Sequence, residues 1–152
     1  MRDIVIFDLD GTLFNIEHRR HYVERPKGQK DWTKFTEECV DDTFNEPVRD
    51  LLWDLQMNGK LIYLFSGRWE GTKADNMKYR EITKKLLADG GVCYDDLRMR
   101  PHWNHIGDDI LKKNMVKDIL DRVAFTVDDR DKVVAMWRSL GLTCFQCAPG
   151  DF

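Results

Sequence analysis

No stretch of this 152-residue sequence approaches the ~20 consecutive apolar residues that a membrane-crossing helix needs. Met1-Arg2-Asp3 leads straight into a strand-like run. No signal peptide is expected, and the cytoplasm is the expected location. Positive charge is not in excess either. The net charge of −3 argues against a wholly basic nucleic-acid coat and leaves local patches open. Cysteine is sparse, and Cys39, Cys93, Cys144 and Cys147 are not spaced as a four-ligand zinc site. Cys144-Phe145-Gln146-Cys147 is a C-x-x-C, but on a strand residues three apart face opposite sides. Reduced, buried thiols are expected rather than a shared metal or disulfide. There is no internal repeat and no low-complexity segment.

What is present is a globular composition, 42% apolar and 34% charged. A chain of this length buries roughly 70% of its unfolded surface, enough for one domain. Its organising stretch is Asp3–Phe14. Ile4, Val5, Ile6 and Phe7 are apolar on both faces, the signature of a fully buried strand. That strand ends in Asp8 and Asp10, which on extended backbone point into one small volume. Carboxylates so close repel unless a divalent metal, a proton or cationic neighbours lie beside them. Gly11 then lets the chain turn away.

Residues 15–45 follow, too long for a simple connection and too short for a domain. They read as a small lid with a short helix over Asp31–Val40, capped by Asp31, on which Trp32, Phe35 and Cys39 share a face. Asn45-Glu46-Pro47 starts a helix whose stripe is Val48, Leu51, Leu52 and Leu55, with Gly59 as a left-handed end. A strand over Leu61–Phe65 delivers Ser66-Gly67-Arg68. The remaining elements are a helix over Tyr79–Ala88, a strand over Leu97–Arg100 and a helix over Asp109–Asp121. A strand over Val123–Val127, a helix around Val133–Leu140 and a strand over Leu142–Cys147 complete the chain. This alternation predicts an α/β fold: a mostly parallel five-stranded sheet with helices on both faces. Ligands of such sheets sit at the carboxyl ends of the strands, which here carry Asp8/Asp10, Ser66/Arg68 and Asp128/Asp129. Asp128 and Asp129, with Asp8 and Asp10, offer the hard oxygen ligands that Mg²⁺ prefers.

Asp8-Leu9-Asp10-Gly11-Thr12 resembles the first motif of the haloacid dehalogenase (HAD) phosphatase superfamily, whose fold is Rossmann-like. The resemblance implies that Asp8 is a phosphoryl-accepting nucleophile and Asp10 a general acid and base. Ser66 and the backbone around Gly67 would hold a phosphoryl oxygen. The family places a lysine early in the helix before the fourth strand, and Lys112 matches it, with Lys113 and Lys117 as weaker choices.

Ser66-Gly67-Arg68-x-x-Gly71-Thr72-Lys73, Asp128-Asp129-Arg130-x-x-Val133-Val134-x-Met136-Trp137-Arg138 and the final Gly150-Asp151-Phe152 narrow the likeness. They are similar to the phosphatase domain of bacteriophage polynucleotide kinase-phosphatases, while no kinase P-loop (G-x-x-x-x-G-K-[ST]) occurs. The likeness implies a Mg²⁺-dependent phosphatase for 3′-phosphates of polynucleotide ends or of nucleotides. It also implies substrate contacts for Arg19, Arg68 and Asp108. A (deoxy)nucleotide 5′- or 3′-monophosphatase is the alternative enzyme. A non-catalytic phosphate-binding module is the alternative from another class, though binding needs no nucleophile and acid together.

Two polar patches suit a nucleotide-like ligand. The lid is basic at His18, Arg19, Arg20, His21, Arg25, Lys27 and Lys30. Arg98, Arg100, His102, Trp103 and His105 combine cations with an aromatic able to stack on a base, or to pack against the lid. No membrane association and no obligate protein partner are inferred.

Overall fold

The computed structural model describes all of residues 1–152. Strand β1 (Ile4–Asp8) leads through the Gly11 turn into a two-residue strand, β2 (Phe14–Asn15). The lid then carries helix α1 (Glu17–Arg20) and helix α2 (Trp32–Glu37), followed by a 3₁₀ turn and a second two-residue strand, β3 (Thr43–Phe44). Helix α3 (Glu46–Met57), strand β4 (Leu61–Trp69), helix α4 (Lys78–Asp89) and strand β5 (Asp96–Arg100) come next. Helix α5 (Asp108–Met115), strand β6 (Val123–Asp128), helix α6 (Asp131–Ser139) and strand β7 (Cys144–Gln146) finish the chain. No helix is long and apolar enough to cross a membrane.

The main sheet has the order β5-β4-β1-β6-β7, and every neighbouring pair is parallel. β1 is central because it is apolar on both faces. Val5 and Phe7 pack with Val48, Leu52 and Leu87 from α3 and α4. Ile4 and Ile6 pack on the other side with Val116, Val133, Val134 and Trp137 around α5 and α6. Asp8 lies level with Phe65 of β4, so the acids emerge where the sheet ends.

β2 and β3 pair antiparallel, Phe14 with Phe44 and Asn15 with Thr43, and clasp the two legs of the lid at its base. The Phe14 and Phe44 rings lie 5.0 Å apart across the clasp. Above it Ile16, Val23 and Phe35 form a small core of the lid's own, with Tyr22 and Phe152 against it. Asp31 caps α2 as expected, its Oδ1 accepting the Lys34 N–H at 3.0 Å. Phe35 and Cys39 turn inward, whereas Trp32 stands at the rim.

Several boundaries differ from the sequence expectation. α2 stops at Glu37 and tightens into a 3₁₀ turn over Glu38–Asp41, rather than running to Val40. α5 ends at Met115, and the chain reaches β6 through turns and a 3₁₀ segment instead of one helix to Asp121. β4 runs beyond Phe65 through Ser66, Gly67 and Arg68 to Trp69, with a bulge against β5 between Ser66 and Trp69. A bulge re-aims side chains, and here Arg68 is the one turned into the interior. Asn45 precedes α3 without a side-chain cap bond. Cys39 and Cys144 are buried, but Cys93 and Cys147 are exposed.

Candidate active site

Three charged clusters meet at the carboxyl edge of the sheet, around a cleft of about 420 Å³. The first forms its floor. Lys112 reaches in from α5 and donates to Asp8 Oδ1 at 2.6 Å and to Asp128 Oδ2 at 2.8 Å. Asp128 Oδ1 accepts the backbone N–H groups of Asp129 and Arg130 at 3.0 and 3.2 Å. The Trp137 indole donates to Asp128 Oδ2 at 3.3 Å. Asp8, Asp128 and Asp129 each offer a carboxylate oxygen, all within 4.8 Å of one another. Asp8 Oδ2 and Asp129 Oδ2 are buried and have no hydrogen-bond partner.

One ammonium cannot balance three buried carboxylates. Burial pushes the Asp8 carboxyl well above the usual carboxylate range, against the pull of Lys112 and with Asp128 adding to the rise. Burial, with Asp128 alongside, likewise pushes Asp129 up to about 7. For Lys112 burial acts downward, yet Asp128 and Asp8 outweigh it and hold the ammonium protonated. Two unpartnered carboxylate oxygens beside a third carboxylate make a donor set that fits a hard divalent cation. Gly11 makes this close approach possible: its φ is +86°, and a Cβ there would collide with the Asp129 carboxylate.

The second cluster surrounds Asp10. Arg19 and Arg68 each place a guanidinium nitrogen 2.5 Å from Asp10 Oδ1. Asp42 ties the two together, its Oδ2 accepting from Arg19 at 2.5 Å and from Arg68 at 2.7 Å. Arg19 also donates to the Phe35 carbonyl at 2.8 Å, and Arg68 to Thr83 Oγ1 at 2.9 Å. Burial alone would raise the Asp10 carboxyl, but Arg68 and Arg19 outweigh it and hold it well below the usual range. Ser66 is fully buried, and its Oγ accepts the Arg68 N–H at 3.1 Å.

The third cluster centres on Asp108 at the start of α5. One of its oxygens pairs with Arg100 and the other with Arg130, the latter at 2.5 Å. Arg100 is fixed further by the Gly67 carbonyl at 2.7 Å and the Ile106 carbonyl at 2.6 Å. A side chain on Gly67 would enter this cluster, its Cβ lying 2.6 Å from Asp108 Oδ1.

Asp8, Asp10, Gly67, Arg68, Asp108, Lys112, Asp128 and Asp129 all line the one cleft. Three expectations are redistributed. Asp10, expected among the metal ligands, has its carboxylate in the arginine cluster, outside the Asp8–Asp128–Asp129 group. Arg19 is completely buried behind Asp10 and does not line the cleft. Ser66 stands behind the wall that Gly67 and Arg68 present. Arg98 also leaves the suggested nucleotide patch, because it pairs with Asp96 and Asp118 away from the cleft. Asp42, by contrast, was not singled out in the sequence. Nothing but its place in an Asp41-Asp42 pair on the lid's return leg would have marked it.

A family model for the polynucleotide kinase PNKP phosphatase domain matches residues 2–152. This chain belongs to that family. A chain in a Pnkp1/Rnl/Hen1 RNA repair complex is 34% identical over 97% of this sequence and 43% of its own length, with TM-score 0.78. A chain of another Pnkp1/Rnl/Hen1 complex is 35% identical over 100% of this sequence and 48% of its own, with TM-score 0.79. The present chain thus spans less than half the length of either. A putative phosphatase from Clostridium difficile, 15% identical over 95% of this sequence and 84% of its own, shares the fold with TM-score 0.60. The family makes this chain a HAD-type phosphatase, and the acids at its sheet edge are where such chemistry would sit.

Proposed function

We propose that this chain is a Mg²⁺-dependent phosphomonoesterase that removes the 3′-phosphate from a polynucleotide end by way of an aspartyl-phosphate. The observation that carries the reading is the pairing, in one cleft, of an under-neutralised acid group with a fully paired one. Asp8, Asp128 and Asp129 would hold the cation, which screens the negative charge brought together when a phosphate dianion meets a carboxylate. Asp8 attacks phosphorus through a carboxylate oxygen, and the leaving hydroxyl departs. Lys112, already on Asp8 and Asp128, holds the nucleophile's orientation and faces the incoming charge. Asp10, held ionised by Arg68 and Arg19 until substrate enters, takes up a proton as the phosphate dianion arrives, gives it to the leaving oxygen, and takes one back from the water that splits the acyl phosphate. Arg68 lines the cleft at the edge of that exchange, while Asp42, itself held by Arg19, fixes its guanidinium from behind. Asp108 sets Arg100 and Arg130 beside Gly67, and Ser66 sets the backbone loop through Gly67 and Arg68.

The polynucleotide substrate is supported by the family and by relatives whose structures are of RNA repair complexes. It makes RNA ends the first substrate to test, in the cytoplasm. The side chains named above all lie in this chain. The cleft's size, suited to one nucleotide, also favours the second reading, a mononucleotide phosphatase. The deciding assay measures phosphate released with Mg²⁺ from a 3′-phosphorylated oligonucleotide beside 3′- and 5′-mononucleotides. Preference for the oligonucleotide is expected. Turnover confined to mononucleotides would replace the first reading with the second.

A further inference from the structure

One wall of the cleft carries a group of rings that neither the core nor the chemistry above uses. Trp69, half-buried at the end of β4, and His105 both line the cleft, with their rings edge to face at 5.9 Å. Trp69 also meets His102 at 6.0 Å, and His102 meets Trp103 at 4.5 Å. Trp103 closes the group at 6.4 Å from His105. The rings therefore run without a break from the cleft wall to open solvent. At the outer end Trp103 is 74% exposed and belongs to no core cluster, against the alternative that it packs on the lid. Its φ is +63°, in the left-handed region that a bulky side chain rarely adopts. Burial would offset that strain, and Trp103 has little. A strained, exposed indole at the mouth of a cleft is the pattern of a residue kept for a ligand.

We propose that Trp103, backed by His102 and His105, is a stacking platform for the base of the nucleotide preceding the phosphorylated one, so that the site favours single strands of two or more nucleotides. This rests on the polynucleotide reading above and specifies how a strand leaves the cleft. The cleft, about 420 Å³, lies at the small end of ligand pockets, with room for one nucleotide and not for a strand. A second nucleotide must lie outside it, and the ring group is the surface continuous with its wall. Stacking tolerates any base because every base has a flat face. Lys27, which lines the cleft from the exposed part of the lid and makes no ion pair, suits the phosphate joining the two nucleotides. The other cations on these walls are paired: Arg100 and Arg130 with Asp108, Arg68 with Asp10 and Asp42, Lys112 with Asp8 and Asp128, and Lys132, more loosely, with Asp109 at 3.9 Å.

Steady-state kinetics of the whole chain with Mg²⁺ test this on p-nitrophenyl phosphate, a nucleoside 3′-monophosphate and a 3′-phosphorylated trinucleotide. The wild type should show the lowest KM for the trinucleotide. Trp103→Ala should raise that KM about tenfold, equivalent to about 1.4 kcal/mol and within the range for stacking on one base. Its kcat, and both constants for the two smaller substrates, should not change, and Trp103→Phe should recover most of the loss. Equal losses on all three substrates would mean a structural role, and no loss on the trinucleotide would mean no contact; either overturns the platform. If the wild type gains nothing from the added nucleotides, the platform falls and the phosphatase stands. If it cleaves the aryl phosphate but no 3′-phosphorylated nucleotide or oligonucleotide, the polynucleotide reading falls and takes the platform with it.

Discussion

Asp8 and Asp10 stand two residues apart, both line the cleft, and live in opposite electrostatic worlds. Around Asp8 three carboxylates face one ammonium, and two oxygens go without a partner. Around Asp10 two carboxylates face two guanidiniums, each oxygen of Asp42 is bonded, and the cluster is closed. The first is an incomplete group whose missing charge defines what it takes up. The second is complete and holds a proton-transfer group still. Removing a charge should therefore have opposite effects on the two sides: relief in the first, damage in the second.

The largest effect is expected on the open side. Asp8→Asn should lower kcat by at least about ten-thousand-fold, as for other lost nucleophiles, while the fold stays intact by circular dichroism. Appreciable turnover by this variant would remove Asp8 from its role. On the closed side, Asp42→Ala leaves two buried guanidiniums to share Asp10, and breaking a buried pair in this way costs about 3–5 kcal/mol. Thermal and urea denaturation should show that loss; an unchanged transition would mean that the cluster is not the rigid unit drawn here.

Asp129→Asn separates the two sides most sharply. It should raise the Mg²⁺ concentration needed for half-maximal rate, yet increase the melting temperature in EDTA by removing a buried like charge. A related effect concerns pH. A carboxyl whose folded pKa lies above its unfolded value binds more protons when folded, so stability falls as pH rises between the two values. For Asp129 that interval runs from the usual carboxylate value of about 3.9 to about 7, and Asp8 adds to it with the same sign. The melting temperature in EDTA should drop over that interval, and less so in Asp129→Asn. Asp10, held low, would lose its contribution only below the interval, as pH falls through its folded value. The smallest effect is a control remote from both clusters. Asp118→Ala, at an exposed pair with Arg98, should cost less than about 1 kcal/mol and leave KM unchanged.

The open side was almost wholly legible in the sequence. Its acids terminate apolar strands, and strand periodicity with parallel order is enough to bring Asp8, Asp128 and Asp129 together. The closed side was half legible. Arg19 and Arg68 were assigned to substrate, but their joint partner Asp42 arrives from the far leg of the lid through a two-residue strand pair too short to leave a pattern. Arg98 and Arg100 show another limit. Alternation places both on one face of β5, but not how far along the sheet each sits, and only Arg100 reaches the active edge. The shortened α5 reflects the same difficulty, since Leu111, Met115 and Ile119 keep helical spacing through a segment that leaves the helix after Met115.

The clasp at the foot of the lid has a consequence for how such an enzyme can diversify. Arg19 and Asp42 lie close to the joined legs, whereas the outer turn around Arg25–Lys30 bonds to none of the acids and reaches the cleft only through Lys27. Lengthening a tethered turn is thermodynamically mild, about 0.6 kcal/mol for each doubling. The tip is thus an interchangeable visor on a fixed mount, and reach toward bulkier or slimmer strand ends can be retuned without touching the machinery beneath it.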